Sequence, residues 1–242
     1  MQITLGTPKG GAGKTTALLS LANAAMLRTP GCRVALVDTD ASVGTLRAFM
    51  SRRADREDDR NIRVWSASKP EGIEHLGDTL RRAHDWADYV LVDVQGAASR
   101  FNAALVEVSD LTLFPTRIGL TDFEPAGLMY AQYEADATAR GKQFEGRLLF
   151  TFAPNKHFLS ANERKILAGL RAVGIPFLET IIQTRAVYKD AQDMGCFLRE
   201  MPASQGLAAA TEESIGMFDE VMAILGVANP LAEAEERNAA NG

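Results

Sequence analysis

The chain is poor in the residues that carry metal, redox or secretory chemistry. Its 242 residues include two cysteines and three histidines. Cys32 and Cys196 lie far apart and form no metal-binding or redox spacing, so they read as reduced, half-buried thiols. No apolar run approaches the roughly 18–20 residues that a membrane-spanning helix needs, and no charged-then-apolar leader opens the chain. Internal repeats and low-complexity linkers are absent from it too. A net charge of −5 excludes a chain that is basic all over but leaves room for a local basic patch. With 46% hydrophobic and 24% charged residues, the composition is that of an ordinary globular fold. These absences predict a cytoplasmic protein.

What is present is concentrated near the start. Lys9-Gly10-Gly11-Ala12-Gly13-Lys14-Thr15-Thr16 follows a short apolar run, Ile3-Thr4-Leu5, and precedes a helical pattern with Leu18, Leu21, Ala22, Ala25 and Met26 on one face. Strand, glycine loop and helix together form the context that gives a phosphate-loop motif its physical meaning. Glycines let backbone N–H groups converge on phosphate oxygens, because no Cβ blocks the approach. A helix starting near Gly13 aims its unpaired N–H groups and positive dipole end at the same anion. Lys14 adds a full positive charge against the β and γ phosphates, and the Thr15 hydroxyl is placed to ligate Mg²⁺. Gly10, Gly11, Ala12, Gly13, Lys14, Thr15 and Thr16 are therefore the expected phosphate-binding residues. Two features depart from the ordinary motif: Pro8 stands in place of its first glycine, and a second lysine, Lys9, sits at the loop's entrance. Taken alone, Lys9 also reads as a solvated loop lysine.

Farther on, short apolar runs alternate with helical segments. Arg33–Asp38, Ile62–Trp65, Tyr89–Asp93, Leu111–Phe114 and Leu148–Phe152 read as further strands, and Ile175–Leu178 begins a seventh that extends toward Ile182. Helices are expected near Ile73–Trp86, Asp122–Ala139, Ala161–Val173 and Ser204–Leu225, with Asp122 capping its helix. The alternation implies βαβ units, and so an α/β, doubly wound, mostly parallel sheet with helices on both faces. Residues 1–228 are expected to form one domain and 229–242 an acidic, flexible tail. The charge-dense stretch Arg52–Arg60 reads as a solvated loop or helix end.

Ligands of open parallel sheets sit beyond the carboxyl ends of the strands. Asp93 ends the run Val90-Leu91-Val92 and fits a Walker B aspartate that holds Mg²⁺ through water. Asp38 and Asp40 end the second strand as Val-Asp-Thr-Asp. Two carboxylates facing a triphosphate are tolerable only if a divalent cation and lysines offset them. Asp40 also reads as an Asx turn ahead of the next helix.

The double-lysine loop KGGxGKT resembles the deviant Walker A box of the ParA/MinD family of ATPases. The resemblance covers about residues 1–225, closely in the first hundred and loosely after them. It implies that Lys9 reaches across a nucleotide-sandwich dimer to the partner's phosphates, while Lys14 acts within its own subunit. It places Asp38 near the magnesium shell and ties Asp40 to the attacking water, which gives Lys9, Lys14 and Asp40 as catalytic residues and Thr15, Asp38 and Asp93 as metal residues. Adenine contacts are expected from Asn155, which equally reads as a turn residue, and from Pro202 in the loop Met201-Pro202-Ala203. The segment Ile182–Ala191 followed by Gly195 resembles the family's late element near the dimer edge. The match departs from the family at Ala41-Ser42, where D-x-D-P-Q is usual, and at Val94-Gln95-Gly96, where D-x-P-P is usual. Loss of those prolines leaves the switch less stiff. The departures look like the small ParA relatives that include the VirC-type accessory ATPases of DNA conjugation.

For function, the resemblance implies ATP and Mg²⁺ as cofactors, weak intrinsic ATP hydrolysis and an ATP-dependent homodimer. It further implies non-specific DNA binding with nucleoid association, and a ParB-like or conjugation-accessory activator protein. Arg185, Lys189 and Arg199 lie where a DNA patch is expected, although each alone reads as solvated surface charge. A MinD-like membrane cycler would need a basic amphipathic tail, whereas Pro230–Asn238 is acidic and nearly free of large apolar groups. A small-molecule kinase or ligase on the same fold, similar to dethiobiotin synthetases, would need an acceptor pocket that no constellation announces. Iron–sulfur reductase relatives are excluded by the cysteine placement. With a strand already at residue 2, no helix-turn-helix is expected ahead of the loop.

Overall fold

Backbone hydrogen bonding in a computed structural model gathers the apolar runs into one seven-stranded sheet. The structure describes residues 1–39, 44–53, 60–67, 71–94, 100–154 and 158–227. The strands are β1 (Gln2–Leu5), β2 (Val34–Asp38), β3 (Ile62–Ser66), β4 (Tyr89–Asp93), β5 (Leu111–Thr116), β6 (Gly146–Ala153) and β7 (Ile182–Gln183). Their order is β3-β2-β4-β1-β5-β6-β7, and every pairing is parallel. The helices are α1 (Lys14–Arg28), α2 (Thr45–Ser51), α3 (Gly72–Trp86), α4 (Arg100–Glu107), α5 (Leu120–Ala139), α6 (Ala161–Ala172), α7 (Ala186–Asp193) and α8 (Leu207–Ile224).

Strand side chains alternate between faces, and here both faces are covered. On one side Val34, Leu36, Leu91, Ile3, Leu5 and Leu113 pack with α1, α2, α7 and α8. On the other, Ala35, Val37, Val90 and Val92 meet α3 and α4, while Phe114, Leu148 and Phe150 meet α5 and α6. This double cover explains why the strands read as continuous apolar runs rather than alternating ones.

Three local expectations are corrected. Helix α1 has no single apolar face, since every residue from Thr16 to Met26 is buried. It lies between the sheet and α8, and a helix enclosed on all sides has no use for a polar stripe. The seventh strand is broken: Leu148 bridges Phe177, and pairing resumes only at Ile182–Gln183. Between them the N–H groups of Glu179 and Thr180 donate to the Glu220 carboxylate of α8, at 2.7 and 2.9 Å, instead of to a strand.

The third correction concerns Arg53, inside the stretch expected to be solvated; residues 54–59 of that stretch lie outside the described set. Arg53 is 0% exposed. Its Nη1 and Nη2 donate to the two oxygens of Glu200 at 2.6 and 2.8 Å, and Nη1 also donates to Gly195 O at 3.0 Å. The guanidinium lies 4.6 Å from the Phe197 ring centroid and 5.7 Å from that of Phe49. A bidentate carboxylate, a carbonyl and two ring faces thus replace its water. Burial pushes the Glu200 carboxyl up, but the bonds from Arg53 and the Phe197 N–H outweigh it and hold the group below its usual range.

Candidate functional site

Register places the chemistry at one end of the sheet. Leu5 of β1 lies opposite Asp93 of β4, and Asp93 lies opposite Asp38 of β2. Asp38 and Asp93 therefore end adjacent strands side by side, next to the strand that runs into the glycine loop. Thr39 locks this arrangement, because its N–H and hydroxyl both donate to Asp93 O, at 3.1 and 3.0 Å.

The loop turns on two left-handed glycines, Gly11 (φ 72°) and Gly13 (φ 81°). Gly13 is doubly constrained: a Cβ there would stand 3.0 Å from Thr151 Cβ and 3.1 Å from Phe152 Cε2. By contrast, a Cβ on Gly10 or Gly11 would meet nothing within 4 Å, which leaves their backbone open toward the outside of the loop. Gly13 also caps α1 without any side-chain hydrogen bond, which leaves the first-turn N–H groups uncapped by a side chain, as an anion site at a helix N-terminus requires. Lys14 is the first residue of that helix.

The Thr15 hydroxyl donates to Asp93 Oδ2 at 3.0 Å. A threonine hydroxyl beside one or two carboxylates is a hard-oxygen set, and it fits Mg²⁺ shared with phosphate oxygens and water. Among the described residues no group of three or more His, Cys, Asp or Glu is gathered for a metal. Thr16 is buried, and its hydroxyl oxygen accepts from Gln192 Nε2 of α7 at 2.8 Å.

In front of the loop lies a cavity of about 230 Å³ lined by Thr7, Lys9, Gly10, Gly11, Ala12, Thr116, Arg117 and Asp122. Lys9 Nζ is ion-paired with Asp122 Oδ1 across it. Asp122 is thus not the cap of α5, which is Gly119 with no side-chain bond; it sits in the first turn and faces the loop. Thr151 of β6 donates to Ala12 O at 2.8 Å and to Thr116 O at 3.2 Å, fastening the loop to the end of β5. Thr39, Thr116, Arg117, Asp122, Thr151 and Gln192 belong to this site by position, yet no motif in the sequence announces their part in it.

The remaining expected residues are scattered. Asp40 and Asn155 lie outside the described residues, as do Ala41-Ser42, Gln95-Gly96 and the 229–242 tail. Pro202 is exposed, between the turn at Leu198–Glu200 and α8. Two of the three side chains of the expected basic patch are already ion-paired: Arg185 donates to Glu213 from Nε and Nη2, at 2.9 and 2.5 Å, and Lys189 pairs with Asp193, while the backbone N–H of Arg199 donates to Asn23 Oδ1 at 3.0 Å.

Comparison with known proteins agrees with this geometry. The VirC1 protein family model matches residues 1–219. Protein virC1 of Rhizobium radiobacter is 34% identical over 118 residues, 49% of this chain and 49% of that protein. The chain thus spans about half the length of that curated relative. Protein ParA of Rhizobium radiobacter is 24% identical over 226 residues, covering 89% of this chain and 93% of its own. Among solved structures, a Cyanothece McdA–ATP complex superposes with a TM-score of 0.66 at 16% identity, over 94% of this chain and 96% of that one. The cell division protein MinD of Aquifex aeolicus gives 0.65 at 17%, over 92% and 97%. At such identities these two structures speak for the fold alone. The chain has a ParA/MinD-type P-loop fold, and with a family model spanning residues 1–219 it belongs to the VirC1 family.

Proposed function

We propose that this chain is a Mg²⁺-dependent ATPase of the ParA type that turns ATP over weakly on its own. In this reading the ATP-bound form closes as a sandwich dimer, binds DNA non-specifically and positions or segregates a DNA or protein cargo. A ParB-like or conjugation-accessory protein stimulates hydrolysis and release. The observation that carries the reading is the paired use of two lysines on one glycine loop. Lys14 opens α1 beneath the loop, whereas Lys9 is half exposed at its mouth and bonded outward to Asp122.

The transition state of phosphoryl transfer spreads charge over the γ-phosphoryl oxygens, and preorganised cations and amides lower its energy. Lys14 and the amides of residues 10–16 serve the subunit's own nucleotide. Lys9 serves the partner's, which makes hydrolysis conditional on dimerisation. Thr15, Asp93 and Asp38 hold Mg²⁺, which neutralises phosphate charge when bound. Asp40 orients the attacking water, and Asn155 and Pro202 contact adenine.

The deciding experiment is a co-sedimentation of the chain with plasmid DNA and, in parallel, with anionic liposomes, under ATP, ADP and no nucleotide. DNA capture only with ATP, weakening as salt rises because counterions are released on binding, is the expected result. Capture by liposomes instead would favour a membrane cycler, and capture by neither would return the small-molecule kinase or ligase.

A further inference from the structure

We propose that Arg117 is a third cation of the phosphate loop and engages the terminal phosphate of a bound nucleoside triphosphate. This rests on the nucleotide-binding reading above and deepens it by one residue that no part of the loop motif contains. Arg117 directly follows β5, whose last residue is fixed to the loop: the Thr151 hydroxyl is shared between Thr116 O and Ala12 O. Strand β5 also runs beside β1 into the loop, with Gly6 N–H donating to Leu113 O at 3.0 Å. The backbone carrying Arg117 is therefore held at a set distance from the amides of residues 10–12.

The side chain is aimed as well as anchored. Its guanidinium carbon lies 5.7 Å from the centroid of the Phe152 ring. That ring in turn fills the space where a Gly13 side chain would stand, so it is a wedge between the loop and the arginine. Phe152 holds φ at 51°, the single positive value among the described non-glycine residues, at the irregular step where β6 pairs with β7. A bulky residue kept in the left-handed region is strained, and such strain collects where geometry serves a site. Stacking on a ring face orients a guanidinium while its N–H edge stays free to bond.

Charge completes the argument. Three charged side chains line the cavity, and two of them, Lys9 and Asp122, neutralise each other. Arg117 has no carboxylate partner among the described residues, so its charge is the uncompensated one on a wall otherwise made of loop backbone and threonines. A planar fork beside converging amides suits a phosphate group, which it binds through two oxygens.

The test compares wild-type, Arg117→Ala, Arg117→Lys and Lys14→Ala chains for binding of a non-hydrolysable ATP analogue and of ADP, with Mg²⁺, and for turnover. Arg117→Ala is expected to weaken the triphosphate about tenfold or more, leave ADP affinity unchanged and lower kcat about a hundredfold, the usual scale for losing a charge-stabilising donor. Arg117→Lys is expected to recover part of this. Because the side chain is exposed, the melting temperature of both variants should match wild type. An unchanged ratio of triphosphate to ADP affinity in Arg117→Ala overturns the assignment. So does a loss confined to DNA binding, which would make the arginine a contact for backbone phosphates. If wild type and Lys14→Ala alike bind neither nucleotide, the nucleotide reading itself fails and takes this one with it.

Discussion

Lys9 and Asp122 form an ion pair between the mouth of the glycine loop and the first turn of α5, with side chains 52% and 25% exposed. A pair so open to water is worth about 0–1 kcal/mol. Under the proposed dimer mechanism, a pair this weak holds the lysine on its own subunit and still yields it to a triphosphate. Asp122→Asn removes the competing acceptor and should raise the ATP-dependent dimer association constant, by up to about fivefold for each of the two pairs released, at about 1 kcal/mol per pair. Lys9→Ala should spare nucleotide binding and abolish the dimer. Sedimentation velocity with and without ATP reads both, and a weaker dimer in Asp122→Asn would reverse the role given to the pair.

The two ends of the glycine loop should respond differently to the same methyl group. At Gly13 an alanine must adopt φ near 81° and overlap Thr151 and Phe152. The left-handed conformation alone costs about 1–2 kcal/mol, so Gly13→Ala should lower the unfolding free energy by more than that. At Gly10 the new methyl meets open space on the cavity wall. Gly10→Ala should therefore melt like wild type and yet bind triphosphate less well. Thermal melts paired with nucleotide titrations separate the cases, and equal stability of the two variants would contradict the packing described.

The proposed metal dependence can be tested at the Thr15 hydroxyl, which donates to Asp93. Chelating Mg²⁺ should weaken triphosphate binding in wild type, and Thr15→Ala should show little further loss on chelation. A Thr15→Ala chain that responds to EDTA as strongly as wild type would remove the threonine from the metal's shell.

The Arg53–Glu200 pair makes a pH prediction. The folded carboxyl of Glu200 is held below the ordinary glutamate value of 4.5. A depressed carboxylate contributes stability that is fully present above the unfolded value and is lost as pH falls through the folded one. The stability gap between wild type and Glu200→Gln should thus be widest near neutrality and close below pH 4.5. Removing one partner of a buried pair strands the other, at a cost of about 3–5 kcal/mol, so Arg53→Met should be strongly destabilising at pH 7. Denaturant midpoints across pH 3–7 read both effects.

The glycine loop, the strand-end aspartates and the double-covered sheet were legible in the chain because each is written in consecutive residues. A loop motif, a run of β-branched side chains and a terminal carboxylate all carry their meaning locally. Arg53 was misread because what stabilises it lies elsewhere: Glu200 is 147 residues away, and no periodicity links a charge to a partner at that range. The same holds for β7, whose middle is diverted by Glu220 of a later helix. Asp122 illustrates a different limit. An acidic residue at a helix start suits a cap and an ion pair equally well, and only the fold brings Lys9 within its reach.

Every residue of helix α1 from Thr16 to Met26 is buried, and the helix is wedged between the sheet and α8. The platform proposed to receive the phosphates is thus the end of an embedded rod, not the tip of a mobile hairpin. Whatever grips it grips the whole fold, so nucleotide occupancy should register as a rise in the temperature of global unfolding. At a hundredfold excess over Kd that rise corresponds to about 2.7 kcal/mol, delivered through a single helix to all seven strands.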